Sequence, residues 1–306
     1  MKKRTAYILL FIATVIWGFA FAAQKNASVI PAFAVGAFRS LFATIFLICL
    51  IPITDRLMKN GRSLLRSGRP DFTRSEIRGG VILGIIITAA SGFQQYGIER
   101  TEAGKAAFIT ALYVVFVPII STVFGKKPGI PALISIPIAV VGFYLMCIKT
   151  GESFALADLL VLICALIFAM HIISVDRLSV DCDGVRMSCI QFATALVLNS
   201  AISLIIGESY GPSELGAALP SLLFLGILSS GVAYTLQIVG QKEIDPTVSS
   251  MILSLESVFG VIGAALVLDE RMSDREYIGC GVVFLAVFLA QIEPGSVKRL
   301  IGRIKK

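Results

Sequence analysis

Apolar blocks, each near the roughly 20 residues a helix needs to cross a bilayer, recur along this sequence from end to end. They constrain it more than any motif does. Of its 306 residues 56% are hydrophobic and only 15% charged, and the mean hydropathy is +0.87. Water-soluble domains run about 45 to 50% apolar and about 25% charged, so the composition excludes an ordinary soluble globule. Between charges or turn signals the blocks fall at 5–24, 30–53, 79–98, 103–124, 130–148, 155–175, 186–206, 218–240, 247–268 and 277–292. Backbone groups in lipid must be satisfied within their own segment. The ten-residue alternation of a membrane barrel is missing, so the blocks read as ten helices of an all-α integral membrane protein. Lys2-Lys3-Arg4 before an apolar run and Ala20-Phe21-Ala22 imitate a cleavable signal peptide. The nine blocks that follow favour a retained first helix.

The formal net charge of +7 does not point to nucleic acid, because the basic residues lie between apolar blocks and form no patch interleaved with aromatics. Their distribution is topological. With the N-terminus in the cytoplasm, twenty Lys and Arg fall on that side, in the stretch Arg56 to Arg78, at Lys126 and Lys127, and from Lys298 onward among others. Six fall outside, including Lys25, Lys105 and Lys149. That bias predicts both termini in the cytoplasm of a cell (plasma or inner) membrane. The basic stretch and tail either follow the lipid surface or simply set topology. The six cysteines lack metal-ligand spacing and read as reduced packing residues. No metal or cofactor is expected.

The two halves resemble one another. Gly84-Ile85-Ile86 through Gln95 matches Gly226-Ile227-Leu228 through Gln237, Leu112 to Phe116 matches Leu255 to Phe259, and Trp17 aligns with Phe168. Order and offsets agree, and five spans per half invert the second relative to the first. The expected domains are 1–150 and 151–306, two inverted five-helix repeats, the second with a basic cytoplasmic tail.

The run Leu255-Glu256-Ser257-Val258-Phe259, then Leu268-Asp269-Glu270-Arg271-Met272-Ser273 and Tyr277-Ile278-Gly279, resembles the EamA family of the drug/metabolite transporter superfamily. Trp17-Gly18 and Phe38-Arg39 resemble it too, and the likeness covers the whole chain. It implies ten helices and movement of small metabolites. Ser257 stands where the family usually has Pro, which predicts a straighter ninth helix, and Lys127 stands where the repeat partner is Glu270.

Ionisable groups within spans are costly and mark function by default. Arg39 and Glu256 each lie nine residues into a span, roughly 13 Å deep and near the midplane. They are candidates for coupling, and Glu256 for substrate binding, with structural pairing as the alternative for Arg39. Ser249, Leu253, Glu256, Gly260 and Gly263 share one helix face, and the glycines, like Gly80 and Gly84, also suit close packing. Trp17, Gln95, Tyr96, Tyr113, Tyr234 and Gln237 complete the candidate substrate site; Gln94 beside Gln95 and Gln241 beside Gln237 belong to the same pocket signal, for which the alternative is interfacial anchoring, and for Trp17 the alternative is bundle packing. His171, the one histidine, is either a proton relay or a bundle hydrogen bond. Asp158 reads as a helix-start or interface residue.

The expected function is secondary active transport, export in particular, of amino acids, amines or related polar and amphipathic solutes by alternating access. Protons or exchange supply the coupling. No GxxxxGK[ST] is present for nucleotide hydrolysis. A lipid flippase is the alternative. A membrane-embedded enzyme lacks HExxH and GxSxG, and a channel lacks a filter or charge ring. The expected partners are the solute and membrane lipids.

Overall fold

The computed structural model describes residues 3–59, 71–123, 130–147 and 155–290. Lys126, Lys127, Lys149, residues 60–70 of the basic stretch and the tail from Lys298 lie outside them. Every apolar block read from the sequence is helical, with ends within two helical turns of those expected. The helices are α1 (Lys3–Ala27), α2 (Ala32–Lys59), α3 (Arg74–Ile98), α4 (Ala103–Ala111), α5 (Tyr113–Val123), α6 (Ile130–Cys147), α7 (Leu156–Leu178) and α8 (Gly184–Ile206). There follow α9 (Pro212–Leu223), a π-helical segment (Phe224–Ala233), α10 (Tyr234–Gln241), α11 (Pro246–Ser254), α12 (Glu256–Leu268) and α13 (Asp274–Ala290). Among the described residues eight helices, counted through their breaks, are long and apolar enough to cross a membrane. α6 and α13 pack mainly on one another. The outward surface is apolar, with Leu204 81% and Leu266 74% exposed, as expected of a lipid-facing belt.

Helix contacts come in matched sets. α1 packs on α11 and α12 as α7 packs on α4 and α5, α2 packs on the π segment as α8 packs on α3, and α1 meets α10 as α7 meets α3. Small residues allow the approach. A Cβ on Gly18 would stand 2.2 Å from Phe259 Cβ, one on Gly260 2.3 Å from Ala107 Cβ, and ones on Gly80 and Gly84 2.6 and 2.5 Å from Ile190 and Thr194. These glycines are therefore packing residues.

Two spans are broken at mid-depth. α4 passes to α5 through Leu112 (φ −61°, ψ −12°) and α11 to α12 through Leu255 (φ −62°, ψ −11°). Leu112 N–H turns to the Ile109 carbonyl and Leu255 N–H to the Ile252 carbonyl, both 3.2 Å away. The expectation of a straighter ninth helix fails here: α11 and α12 are interrupted although Ser257 replaces proline. Serine supplies the reason. The hydroxyls of Ser250, Ser254 and Ser257 donate at 2.8 Å to the carbonyls of Thr247, Met251 and Ser254, and such back-bonding bends a helix. In the fourth span Pro118, inside α5, removes the N–H that Val114 C=O would use.

Polar side chains close both ends of the bundle. At the end carrying residues 99–102, Lys25 Nζ donates to the carbonyls of Ile98, Glu99 and Thr101 at 2.8 to 3.2 Å, capping α3. Glu208 accepts from Phe33 and Ala34 N–H at the start of α2. Glu270, from the family-like motif, accepts from Ala103 N–H at 2.7 Å at the start of α4, where the helix dipole favours a carboxylate. Asp158 forms a buried ion pair with Lys105 (2.8 Å) and accepts from Thr101 Oγ1 at 3.0 Å, tying α7 to α4. At the opposite end Glu76 completes a capping box with Thr73 and accepts from Asp183 N–H at 2.7 Å. There too Lys242 Nζ donates to Cys182 C=O, and Arg186 pairs with Asp55 at 3.2 Å.

Candidate functional site

Between these closed ends α1, α2, α3, the two broken spans, α7, the π segment and α10 surround a cavity of about 40 Å³. One water needs about 10 to 15 Å³ on the same measure. The cavity thus has room for a few waters and for no larger solute.

Seven of the sequence candidates line this cavity: Trp17, Arg39, Tyr113, His171, Tyr234, Gln237 and Glu256. Glu256 is buried, 4% exposed, as the first residue of α12. Tyr113 is the first residue of α5, and its buried hydroxyl faces the Glu256 carboxyl. The two helix breaks therefore deliver a phenol and a carboxylate to one cavity, each at a half-helix N-terminus whose dipole favours negative charge. Helix breaks of this kind are how bundles place ion and solute sites at mid-depth.

Arg39 is held by neutral groups. Its Nε donates to Ser230 Oγ at 3.0 Å, Nη1 to Gln24 Oε1 at 3.2 Å and Nη2 to Ser229 Oγ at 3.3 Å. These three partners were missed in the sequence. A buried guanidinium must find acceptors, and small polar residues on a neighbouring span were the available signal. The π segment explains how two successive serines serve one side chain, since its wider turn presents neighbouring residues together, a distortion frequent at functional sites. Gly226 permits the contact, because a Cβ there would lie 3.0 Å from Arg39 C=O.

Trp17 Nε1 donates to Ser229 C=O at 3.1 Å, and its ring lies 4.6 Å from that of Tyr234. Tyr234 also meets His171 edge-on at 5.7 Å and Phe192 at 5.4 Å, so an aromatic wall stands on one side of the cavity. His171 Nε2 donates to Gln191 Oε1 at 3.3 Å, while its Nδ1 has no partner. Gln237 is 1% exposed with an unpartnered Oε1. Among the described residues no group of His, Cys, Asp and Glu is arranged to hold a metal.

Gln95 and Tyr96 stand apart from the cavity lining. The Gln95 amide donates to Gln24 C=O at 3.1 Å and Ser28 Oγ at 3.0 Å, tying α3 to α1. Tyr96 meets Phe33 edge-on at 5.7 Å on the outer face of α3. One helical step explains this: Gln94, adjacent in sequence, faces the cavity and donates to Thr110 Oγ1 at 3.2 Å.

The sequence model of the EamA-like transporter family matches this chain twice, at residues 4–148 and 155–291. An uncharacterized transporter of Archaeoglobus fulgidus is 27% identical over 299 residues, covering 95% of this chain and 87% of the relative. One of Methanothermobacter thermautotrophicus is 22% identical over 304 residues, covering 94% and 87%. A crystal structure 16% identical in sequence superposes with a TM-score of 0.67 over 95% of this chain and 97% of the other, which establishes a shared fold. With the family matched over nearly the whole length and a bundle of apolar helices around a polar cavity, the chain belongs to the EamA-like transporter family and is a multi-pass membrane transporter.

Proposed function

We propose that the protein is a secondary active exporter of small polar or amphipathic metabolites, such as amino acids or amines, working by alternating access between two inverted five-helix halves, residues 1–150 and 151–306. The observation that carries this reading is the narrow central cavity at which Tyr113 and Glu256, matched positions of the two halves, meet. The paired helix contacts and the equal dihedral angles at Leu112 and Leu255 support a pseudo-twofold relation. Such symmetry lets either end open while the site stays fixed. Amides, hydroxyls and aromatic faces around one carboxylate and one guanidinium suit a polar solute with an apolar part. Ten spans in the cell membrane with both termini in the cytoplasm complete the proposal.

Glu256 is the coupling residue in this scheme, carrying a proton or meeting the solute in alternate states, with His171 and Arg39 as the other ionisable groups of the cavity. Glu256→Gln in proteoliposomes tests it. Uptake driven by a pH gradient or by solute exchange falls at least tenfold, while yield and monodispersity in detergent are retained. A Glu256→Gln protein that transports at the unmodified rate overturns the assignment. Lipid translocation measured in the same vesicles tests the flippase reading.

A further inference from the structure

A second cavity lies outside the solute site, on the lipid-facing surface between α2, α3 and α8. It is a groove of about 360 Å³ whose walls are Phe33, Ile85, Ala89, Phe93, Leu198 and Ile202, with Thr88, Gly92 and Tyr96 completing it. α3 and α8 touch at Gly80 and Gly84, and the groove occupies the length of α3 beyond that contact. From Ile85 to Tyr96 is eleven residues, roughly 16 Å of helix, which matches half of a roughly 30 Å hydrocarbon core. Its length is that of one leaflet, and its wall is almost wholly apolar.

The end of the groove near residues 99–102 is charged. Tyr96 lies in the last turn of α3. Phe33, which meets its ring, donates its N–H to Glu208 Oε1 at 3.1 Å. Arg100 Nη1 donates to Tyr96 C=O at 3.3 Å and to Glu99 Oε2 at 3.4 Å. Glu99 Oε1 is buried without a hydrogen-bond partner. Two carboxylates, Glu99 and Glu208, thus stand near this end with two cations, the Arg100 guanidinium and the Lys25 ammonium seated on the carbonyls of residues 98, 99 and 101, and one carboxylate oxygen has its acceptor capacity unused.

We propose that this groove is a specific site for one acyl chain of a bilayer phospholipid whose head group carries a primary ammonium, of the phosphatidylethanolamine type. The chain lies along Ile85 to Phe93, the ammonium donates to Glu99 and faces Glu208, and the phosphate meets Arg100. A quaternary ammonium has no N–H to give Glu99, and an anionic head without an amine leaves the Glu99 carboxylate oxygen without a donor. Burial raises the Glu99 carboxyl from its ordinary value, with Arg100 and Lys25 opposing the rise and Glu208 adding to it. A cation there relieves the burden.

The test is native mass spectrometry of the full chain released from nanodiscs of equal parts phosphatidylethanolamine, phosphatidylcholine and phosphatidylglycerol. The expected result is phosphatidylethanolamine retained several-fold over the other two. Glu99→Gln abolishes that preference, and Ala89→Trp, which fills the groove from an exposed position, lowers retention of every lipid. Ala89→Leu gives a gentler filling if the tryptophan protein is not recovered. Equal retention of the three lipids by the unmodified protein, or a preference untouched by Glu99→Gln, overturns the head-group assignment. Retention unchanged by filling at Ala89 overturns the groove as the site.

Discussion

The Lys105–Asp158 ion pair bridges the two halves at one end of the bundle, and its geometry allows its energetics to be worked out in advance. Lys105 Nζ and Asp158 Oδ2 are 2.8 Å apart, with Lys105 7% and Asp158 0% exposed. Thr101 Oγ1 is the other donor to the carboxylate, at 3.0 Å. Asp158→Asn keeps an acceptor for Thr101 but leaves the Lys105 ammonium without the carboxylate it pairs with, in a site largely closed to water. Breaking a buried pair from one side costs about 3 to 5 kcal/mol. Lys105→Met costs a similar amount, because it strands the carboxylate with one neutral donor. Replacing both, Lys105→Met with Asp158→Leu, removes the desolvation penalty together with the attraction, and buried pairs exchanged for apolar residues are often neutral. The double variant is therefore expected within about 1 kcal/mol of the unmodified protein, with a coupling energy of at least about 5 kcal/mol from the two singles. Unfolding in mixed micelles of increasing sodium dodecyl sulfate provides the measurement. Emission from Trp17, the one tryptophan in the chain, reports it because that ring contacts Tyr234 in the closed bundle. A cost for Asp158→Asn below about 1 kcal/mol, or a double variant as unstable as the sum of the singles, refutes the reasoning.

Gly18→Ala places a methyl 2.2 Å from Phe259 Cβ and 2.8 Å from its carbonyl carbon; forcing α1 off α12 costs about 1 to 3 kcal/mol, read in the same micelle titration. In a cysteine-free background, Gln94→Cys is labelled by an impermeant thiol reagent from outside and Gln237→Cys from the cytoplasm, with solute slowing both. Gln95→Cys, on a residue outside the cavity lining, shows no protection; equal protection at 94 and 95 contradicts this placement. Reporter fusions after residues 150 and 306 give external and cytoplasmic signals respectively, and a cytoplasmic signal at 150 sinks the inverted arrangement.

The helices and the membrane setting were legible in the sequence because both follow from runs of apolar side chains, which a bilayer reads one segment at a time. Tyr113 and Glu256 were legible as repeat positions for a similar reason, since matched motifs carry matched structure. The two breaks were legible only as matched positions, Leu112 and Leu255 of the repeated run; one span carries Pro118 and the other the back-bonding Ser250, Ser254 and Ser257, so the run has no single local cause that would announce a break. Glu270 was legible as a motif, yet its role as the cap of α4 required a helix 166 positions away in sequence at Gly104. Arg39 was marked by its cost in lipid, but Gln24, Ser229 and Ser230 became its partners only when the π segment turned two adjacent serines toward α2. Gln94 and Gln95 show the limit most plainly. They are chemically identical neighbours, and packing of α3 between α1 and the cavity sends one to Thr110 and the other to the backbone of Gln24. Hydropathy fixes where a helix lies in the membrane, while its rotation about its own axis is set by the side chains of its neighbours, and that rotation decides which polar group faces the solute.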